Sequence, residues 1–592
     1  MKASRFALFL SVLGSFVTLT VSCGGGAASA STPLTLSLSS SSVTVLQDGE
    51  PATVNVSIGR PSGDSNGVSL TVTGLPAGLT AQIISPGAGS SGQITFVSQS
   101  AAAGSASVTV TASDGQRTAT ADLSVTVAIL ATVGTSVNGS AGDNGVLNDF
   151  MATSFQPASW SDQFFIDNPQ ATSTLDALHS QHIRIQAVEK DVPMTGPDTW
   201  DFTRLDGMVN PILSVADHSP EFQIAVAPTW MDDSSGHLLP QNFSAFAQYC
   251  ANLVRYYNAG GFDVNGQHYQ SSSPYPIEWW GIFNEPNING LTATQYVELY
   301  NQVVPAMLAV DPNIKLVAVE LADFGSQPED YLPTFVSQGN AQVNAVATHF
   351  YSSCNQQDTD QQIFSTIPNF VHDVKYIESE LATNPALANV PVWVTENNVN
   401  ADYDKGGGIS ACNGTPFVLD PRGTSAFFAA YRPYVFSQLS LAGVQALYHW
   451  DFNADAQFGE VNGTNDQTYL SYWVDYWLER YFPTPPGSQI LDLTTTEASS
   501  VETLATVRND GTVVVMTANH AVHAPTDNNG PGDPRTVVVD VSAWGSFSSA
   551  TLLTLDASTN PTTGPTPVSL TPAPRMAITL NGYGVAFLAL TK

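Results

Sequence analysis

The sequence predicts a multidomain chain, a (β/α)8 (TIM) barrel flanked by an N-terminal β-sandwich and a C-terminal β-sandwich. Three observations carry this. Residues 33–128 alternate apolar and polar positions in short runs with turn signals between them. Residues 129–486 alternate short apolar runs with amphipathic helical stretches. Residues 487–592 return to strand alternation. Closely spaced period-two runs build sandwiches, whereas strands alternating with helices build parallel sheets, and eight such units close a barrel.

The first 23 residues read as a targeting segment. Lys2 and Arg5 precede an apolar run from Phe6 to Val21, followed by Ser22 and Cys23. A basic start, an apolar centre and small residues at a break form a secretory signal. The run is too short to span a bilayer convincingly. Leu19 to Cys23 resembles a bacterial lipobox, with Thr20 where that motif usually has Leu. The resemblance implies lipidation of Cys23; plain secretion with a remnant cysteine is the alternative. Residues 24–32, rich in Gly, Ala and Ser, suit a flexible tether. The expected location is the cell envelope or the exterior, with membrane contact only through the lipid.

Between residues 33 and 128, strands are expected over 34–38, 52–58, 68–72 and 106–112, with turns at Pro61 to Asp64 and Asp114-Gly115. Gly74 to Thr80 and Val108 to Gly115 resemble segments of bacterial immunoglobulin-like domains. No aromatic residue lies between Pro33 and Phe96, so a spacer is expected in preference to a glycan-binding module. In the barrel region the candidate strands are 131–135, 183–188, 222–228, 277–284, 314–320, 345–351, 390–395 and 444–450. Helical patterns include 243–257, 293–310, 367–381 and 426–441. In the last region, Asn509 to Gly511 and Asn581-Gly582 read as hairpin turns.

Formal charge is −33, from 51 acidic and 18 basic residues, which repels nucleic acid and anionic membranes. Only 12% of residues are charged, so the surface is neutral-polar with scattered acids rather than an acidic tail. Cys354 and Cys412 fall in expected loops after barrel strands, which permits an exported disulfide. Cys250 lies in a helical apolar pattern and reads as a buried thiol. No Cys-x-x-Cys or Cys/His zinc spacing occurs.

The chemistry concentrates at two strand ends. Ile277 to Phe283 is an apolar run closed by Asn284, Glu285 and Pro286; Val390 to Thr395 is another, closed by Glu396. A carboxylate at the end of a buried strand is costly unless paired or used. Barrel chemistry sits at the C-terminal ends of the strands. On the strand count, Glu285 ends strand four and Glu396 ends strand seven, facing one another across the mouth. Two facing carboxylates suit an acid/base and a nucleophile on one sugar ring.

Asn284-Glu285-Pro286 with Glu396 resembles the clan of retaining glycoside hydrolases on a (β/α)8 barrel. Phe283 to Asn287, Trp200 to Asp206, Ile183 to Ile185 and Thr348 to Tyr351 resemble glycoside hydrolase family 39 in particular. The resemblance implies Glu285 as acid/base and Glu396 as nucleophile. It implies Asn284 on the sugar 2-hydroxyl, Tyr351 bonded to the nucleophile, His349 lining the site and Arg184 beneath Glu396. It also implies Trp450 as an apolar floor and Trp230 as a further wall. No cofactor or metal is implied. Gln186 and Asn397 depart from the family pattern at positions expected near the sugar, so its substrate is not transferred. Trp279 and Trp280 are expected to pack. Asp232, Asp233, Glu320 and Asp451 are reserve candidates near strand ends.

The expected activity is retaining hydrolysis of O-glycosidic bonds in oligo- or polysaccharides, β-xylosidase-like or a related exo-activity. Arabinofuranosidase, β-glucosidase and endo-glycanase activities remain alternatives within the clan. A non-catalytic surface glycan-binding protein on a degenerate barrel is the alternative of another class. Metal-dependent hydrolysis through His349 and His449 lacks a His-x-His or His-Glu-x-x-His motif.

Overall fold

Eight parallel strands close on themselves in chain order. They are Ser154–Gln156, His182–Ile185, Glu221–Ile224, Trp279–Ile282, Lys315–Leu321, Ala345–Ser353, Val392–Asn400 and Ala446–Trp450, and the last pairs with the first. A helix follows each strand, from Pro169–Ala177 after strand one to Leu470–Tyr481 after strand eight. This is a computed structural model. It describes residues 33–592 apart from 48, 100, 135–143, 148–153, 157–164, 166–167, 180–181, 187–191, 216–219, 323–327, 340–341, 453–455 and 484–487. The expected targeting segment with Cys23 and the expected tether lie outside the described residues.

Strands two to eight fall on the expected runs, but strand one does not. Residues 131–133 end a long strand, Thr118–Val133, that belongs to the flanking sheets. An apolar run of that length looks the same in a barrel or a sandwich. The actual strand one, Ser154–Gln156, is too short and too polar to give a pattern.

Alternation along the strands sorts the barrel's side chains. Trp279, Val317, Ala345, Ala347, Trp393, Ala446 and Tyr448 form a separate cluster inside it. Trp280, Leu316, Val346, Val392, Val394 and Leu447 turn outward and join the helices in the main core. His182 packs edge-on against Trp393 and Trp279 within the barrel. The interior is therefore apolar and aromatic at this level, and becomes charged toward the strands' C-terminal ends.

The flanking strands form separate sheets with two further cores, and one face of the C-terminal sheet, with Val514, Met516 and Phe587, joins the barrel's core. The strand Thr118–Val133 serves both. Its first part pairs with Gly104–Ser113 and Ser42–Leu46, and its end with Arg535–Asp540 and Leu493–Thr495. The Asn509 to Gly511 turn joins the antiparallel strands Val501–Val507 and Val513–Asn519, as expected. Asn581-Gly582 is not a hairpin. It passes from Arg575–Leu580 in one sheet to Gly584–Thr591 in another. A Cβ on Gly582 would stand 2.2 Å from the carbonyl oxygen of Pro531, so the crossing needs glycine there.

The C-terminal sheets are bonded to the barrel. Asp360, at the start of helix Asp360–Leu381, accepts the backbone N–H of Asn529 and of Gly530 and the hydroxyl of Tyr583. Arg508 donates to the carbonyls of Arg480 and Tyr481 at the end of the last barrel helix. Cys354 and Cys412 form a disulfide between the loops after strands six and seven. Cys250 is a buried free thiol.

Candidate active site

Arg184 on strand two is the centre of the charged layer. It is fully buried. Its Nη1 donates to Oε1 of Glu396 at 2.8 Å and to Oε1 of Gln186 at 3.3 Å. Its Nη2 donates to Oε2 of Glu320 at 2.6 Å and to Oδ1 of Asn284 at 2.8 Å. Burial acts to lower its pKa, but the charges of Glu320, Glu396 and Glu221 outweigh burial and raise it. Arg184 is thus a permanent cation.

Glu396 reaches this layer through a break in register. Trp393 faces into the barrel and Val394 outward, so strict alternation would send Glu396 outward too. The pairing of strands seven and eight shifts between Val394 and Asn397, and that of strands six and seven between Thr348 and His349. Such bulges re-aim side chains. Here the result brings Oε2 of Glu396 within 2.9 Å of the Tyr351 hydroxyl, which donates to it. Burial, then the charges of Glu396 and Glu285, push the Tyr351 phenol well up, so it remains a donor.

Beyond Ile282, strand four is bent sharply. Phe283 has φ 68° and Glu285 φ 46°. Non-glycine residues rarely adopt this region, at a cost of about 1–3 kcal/mol each. Neighbouring strands hold the bend: Phe283 and Asn284 donate backbone N–H groups to Ile224 and Ala225, and Glu285 donates to the carbonyl of Glu320. The bend leaves the Glu285 side chain part-exposed, with Oε1 at 2.9 Å from Nδ1 of His349. The same nitrogen is 3.4 Å from Oε2 of Glu396. Burial pushes His349 down to about 4. At neutral pH the contact with Glu285 is therefore a hydrogen bond of a neutral imidazole rather than an ion pair, and Glu396 lies beside it.

Glu285, His349 and Glu396 each place one polar atom within 4.8 Å of the others. Such a group could in principle hold a cation. However, each oxygen of Glu396 already accepts a hydrogen bond, one of them from a guanidinium that repels cations. A second group, His449, Glu460 and Asp475, is fully buried behind strand eight. There Arg432 donates to Asp475 at 3.0 Å and supplies the positive charge itself.

Gln186 and Trp450 meet at the same layer. Nε1 of Trp450 donates to Oε1 of Gln186 at 3.2 Å, and its ring stands edge-on to Phe458. Asn397 does not lie near the carboxylates, contrary to expectation. The bulge turns it outward, where it donates to the Phe350 carbonyl and accepts from Arg432. Trp230 lies on a turn after strand three and is 36% exposed, apart from the buried layer. Asp232 and Asp233 share that turn. Burial and the charge of Asp233 push Asp232 up to about 6. Asp451 is buried just after Trp450, and its charge is among those raising the Tyr351 pKa. Glu320 belongs to the charged layer itself. Glu221, which opens strand three, also belongs to it and was not singled out from the sequence. Its only signal is a charge at the start of an apolar run.

No protein-family model and no curated protein matches the sequence. Solved structures do match. A β-xylosidase from Caulobacter crescentus is 15% identical with a TM-score of 0.56, over 78% of this chain and 99% of that one. The fold is that of the glycoside hydrolase barrels. A family 39 enzyme from Xanthomonas axonopodis pv. citri is 16% identical with a TM-score of 0.53, over 78% and 97%. A family 51 arabinofuranosidase from the same organism is 11% identical with a TM-score of 0.56, over 78% and 100%. In this barrel Glu285 lies just beyond the C-terminal end of strand four and Glu396 within strand seven.

Proposed function

We propose that the protein is an exported retaining glycoside hydrolase acting by double displacement. One observation carries the reading: an oxygen of Glu285, an oxygen of Glu396 and a nitrogen of His349 lie within 4.8 Å of one another. Retaining enzymes place their carboxyl groups about 5–5.5 Å apart, whereas inverting enzymes need about 6.5–9.5 Å to admit a water. Glu396 attacks the anomeric carbon while Glu285 gives its proton to the departing oxygen. Glu285 then takes a proton from water, which attacks the ester to Glu396 and releases sugar of unchanged configuration. Arg184 and Tyr351 each donate to one oxygen of the nucleophile and hold its orientation. Asn284, oriented by Arg184, meets the 2-hydroxyl, and Trp450 floors the first sugar subsite.

The matched Caulobacter protein is a β-xylosidase and one matched Xanthomonas protein an arabinofuranosidase. They support a related exo-activity on polysaccharide fragments. The disulfide between Cys354 and Cys412 and the basic-then-apolar start of the chain support export. Lipidation of Cys23 would tether the enzyme, with the immunoglobulin-like region as spacer. A purely glycan-binding role leaves the paired carboxylates unexplained.

A panel of aryl xyloside, arabinofuranoside, glucoside, galactoside and glucuronide tests the reading in wild type and E396Q. Hydrolysis of at least one by wild type, lost by orders of magnitude in E396Q, is expected. Unchanged hydrolysis in E396Q removes the assignment.

A further inference from the structure

Strand five carries the same device as strand seven. Val317 faces the barrel interior, so strict alternation would turn Val319 inward and Glu320 outward. Instead the pairing of strands five and six breaks register between Ala318 and Leu321. Val319 packs in the outer core and Glu320 turns into the barrel onto Arg184. The cost is visible in the backbone, where Val319 has φ 80° and Glu320 φ 39°. For a β-branched residue this is a genuine outlier, kept only where the surroundings over-determine it. Those surroundings are the Tyr296 hydroxyl, which accepts the Val319 N–H at 2.7 Å, and Glu285, whose N–H donates to the Glu320 carbonyl at 3.0 Å.

We propose that Glu320 is a positioning residue for the glycosidase reaction, dividing the charge of Arg184 with Glu396 through its carboxylate and fixing Glu285 through its carbonyl. The inference rests on the reading of Glu396 as nucleophile. One guanidinium faces three carboxylates: Glu320 at 2.6 Å, Glu396 at 2.8 Å and Glu221 at 3.8 Å. A single cation cannot offset three buried anions. Glu221 and Glu320 crowd the same spot above Gly281. A Cβ there would stand 2.2 Å from Oε1 of Glu320 and 2.7 Å from Oε1 of Glu221. Like charges so placed do not both ionise. Burial raises both carboxyls, Glu221 the further, and only Glu320 has the short bond to Arg184, so Glu221 holds the proton. Burial and the charge of Glu320 both push Glu221 up, in agreement.

The ionised Glu320 then keeps Arg184 from being spent wholly on Glu396. The carboxylate loses its charge on attack, so a cation that over-stabilised the resting anion would raise the barrier. The groups facing Glu396 are Arg184 on strand two, Glu221 on three, Glu285 after four and Glu320 on five. His349 and Tyr351 on strand six also face it, while Tyr448 and Asp451 at strand eight act on Glu221 and on Tyr351.

The test is the acid limb of the kcat/KM pH profile, measured on an aryl glycoside that the wild type hydrolyses. E221Q should leave the limb in place, because Glu221 is already neutral. E221Q/E320Q, in which no acid can replace Glu320, should move the limb down by about one pH unit. A limb unmoved in the double variant, or moved by E221Q alone, overturns the proposal. An infrared count of buried protonated carboxyls gives a second readout that needs no activity. It should fall by one in folded E221Q, and an unchanged count overturns the charge assignment. Failure of the wild type on every glycoside, or a fully active E396Q, instead strikes the glycosidase reading.

Discussion

Nδ1 of His349 lies 2.9 Å from Oε1 of Glu285. At 3.4 Å it also approaches Oε2 of Glu396, so one neutral imidazole lies between a carboxylate after strand four and one on strand seven. The two carboxylates stand close together here, and nearness decides between retention and inversion.

On the proposed mechanism, Glu285→Ala removes the acid and leaves the nucleophile. Hydrolysis of substrates with poor leaving groups should fall by about 10²–10⁴-fold. Aryl glycosides with very good leaving groups should retain their glycosylation rate, and added azide should restore turnover by attacking the glycosyl-enzyme. Uniform loss on all leaving groups without azide rescue would argue against an acid/base role.

Tyr351→Phe deletes one hydrogen bond to Oε2 of Glu396 and little volume. Without the phenol Glu396 is no longer held in its attacking orientation, and a misplaced nucleophile should lower kcat roughly 10–100-fold. Steady-state kinetics on the best aryl glycoside checks this; an unchanged kcat would show that the phenol does not act on the nucleophile.

Much of this was legible in the chain, for identifiable reasons. Glu285 and Glu396 stand out because each closes a long apolar run, and seven of eight barrel strands show as such runs. Three things were hidden. Strand one is three residues long, shorter than any periodicity. The register breaks at strands five and seven reverse which residues face inward, so Asn397 was expected in the site and Glu320 was only a reserve. Glu221 opens its strand and gives no motif, since its significance comes from Arg184 on the neighbouring strand.

Asp360 fastens the barrel to the C-terminal sheets. It accepts two backbone N–H groups, at 2.7 and 2.8 Å, and the Tyr583 hydroxyl at 3.1 Å, and lies 3.4 Å from Arg422. Asp360→Ala leaves buried donors without an acceptor and should cost about 3–5 kcal/mol. The urea midpoint should drop accordingly, or the transition should split as the two parts unfold separately. A midpoint matching wild type would contradict this role.

Glu502 gives a pH dependence of stability. Burial pushes it up to about 7, against hydrogen bonds from Ser437 and Gln438. A carboxyl with a raised folded pKa contributes fully below its unfolded value, near 4.5, and loses that contribution as pH rises through 7. Glu502→Gln should therefore melt higher than wild type above about pH 8, by up to about 3 kcal/mol. The difference should shrink toward zero as pH falls to about 4.5. Parallel melting curves for the two proteins across this range would contradict the assignment.

The most direct measurement is the anomeric configuration of the first sugar released, followed by proton NMR before mutarotation. Two carboxylates this close together, with His349 between them, predict retention. Release of the inverted anomer would contradict the account at its centre.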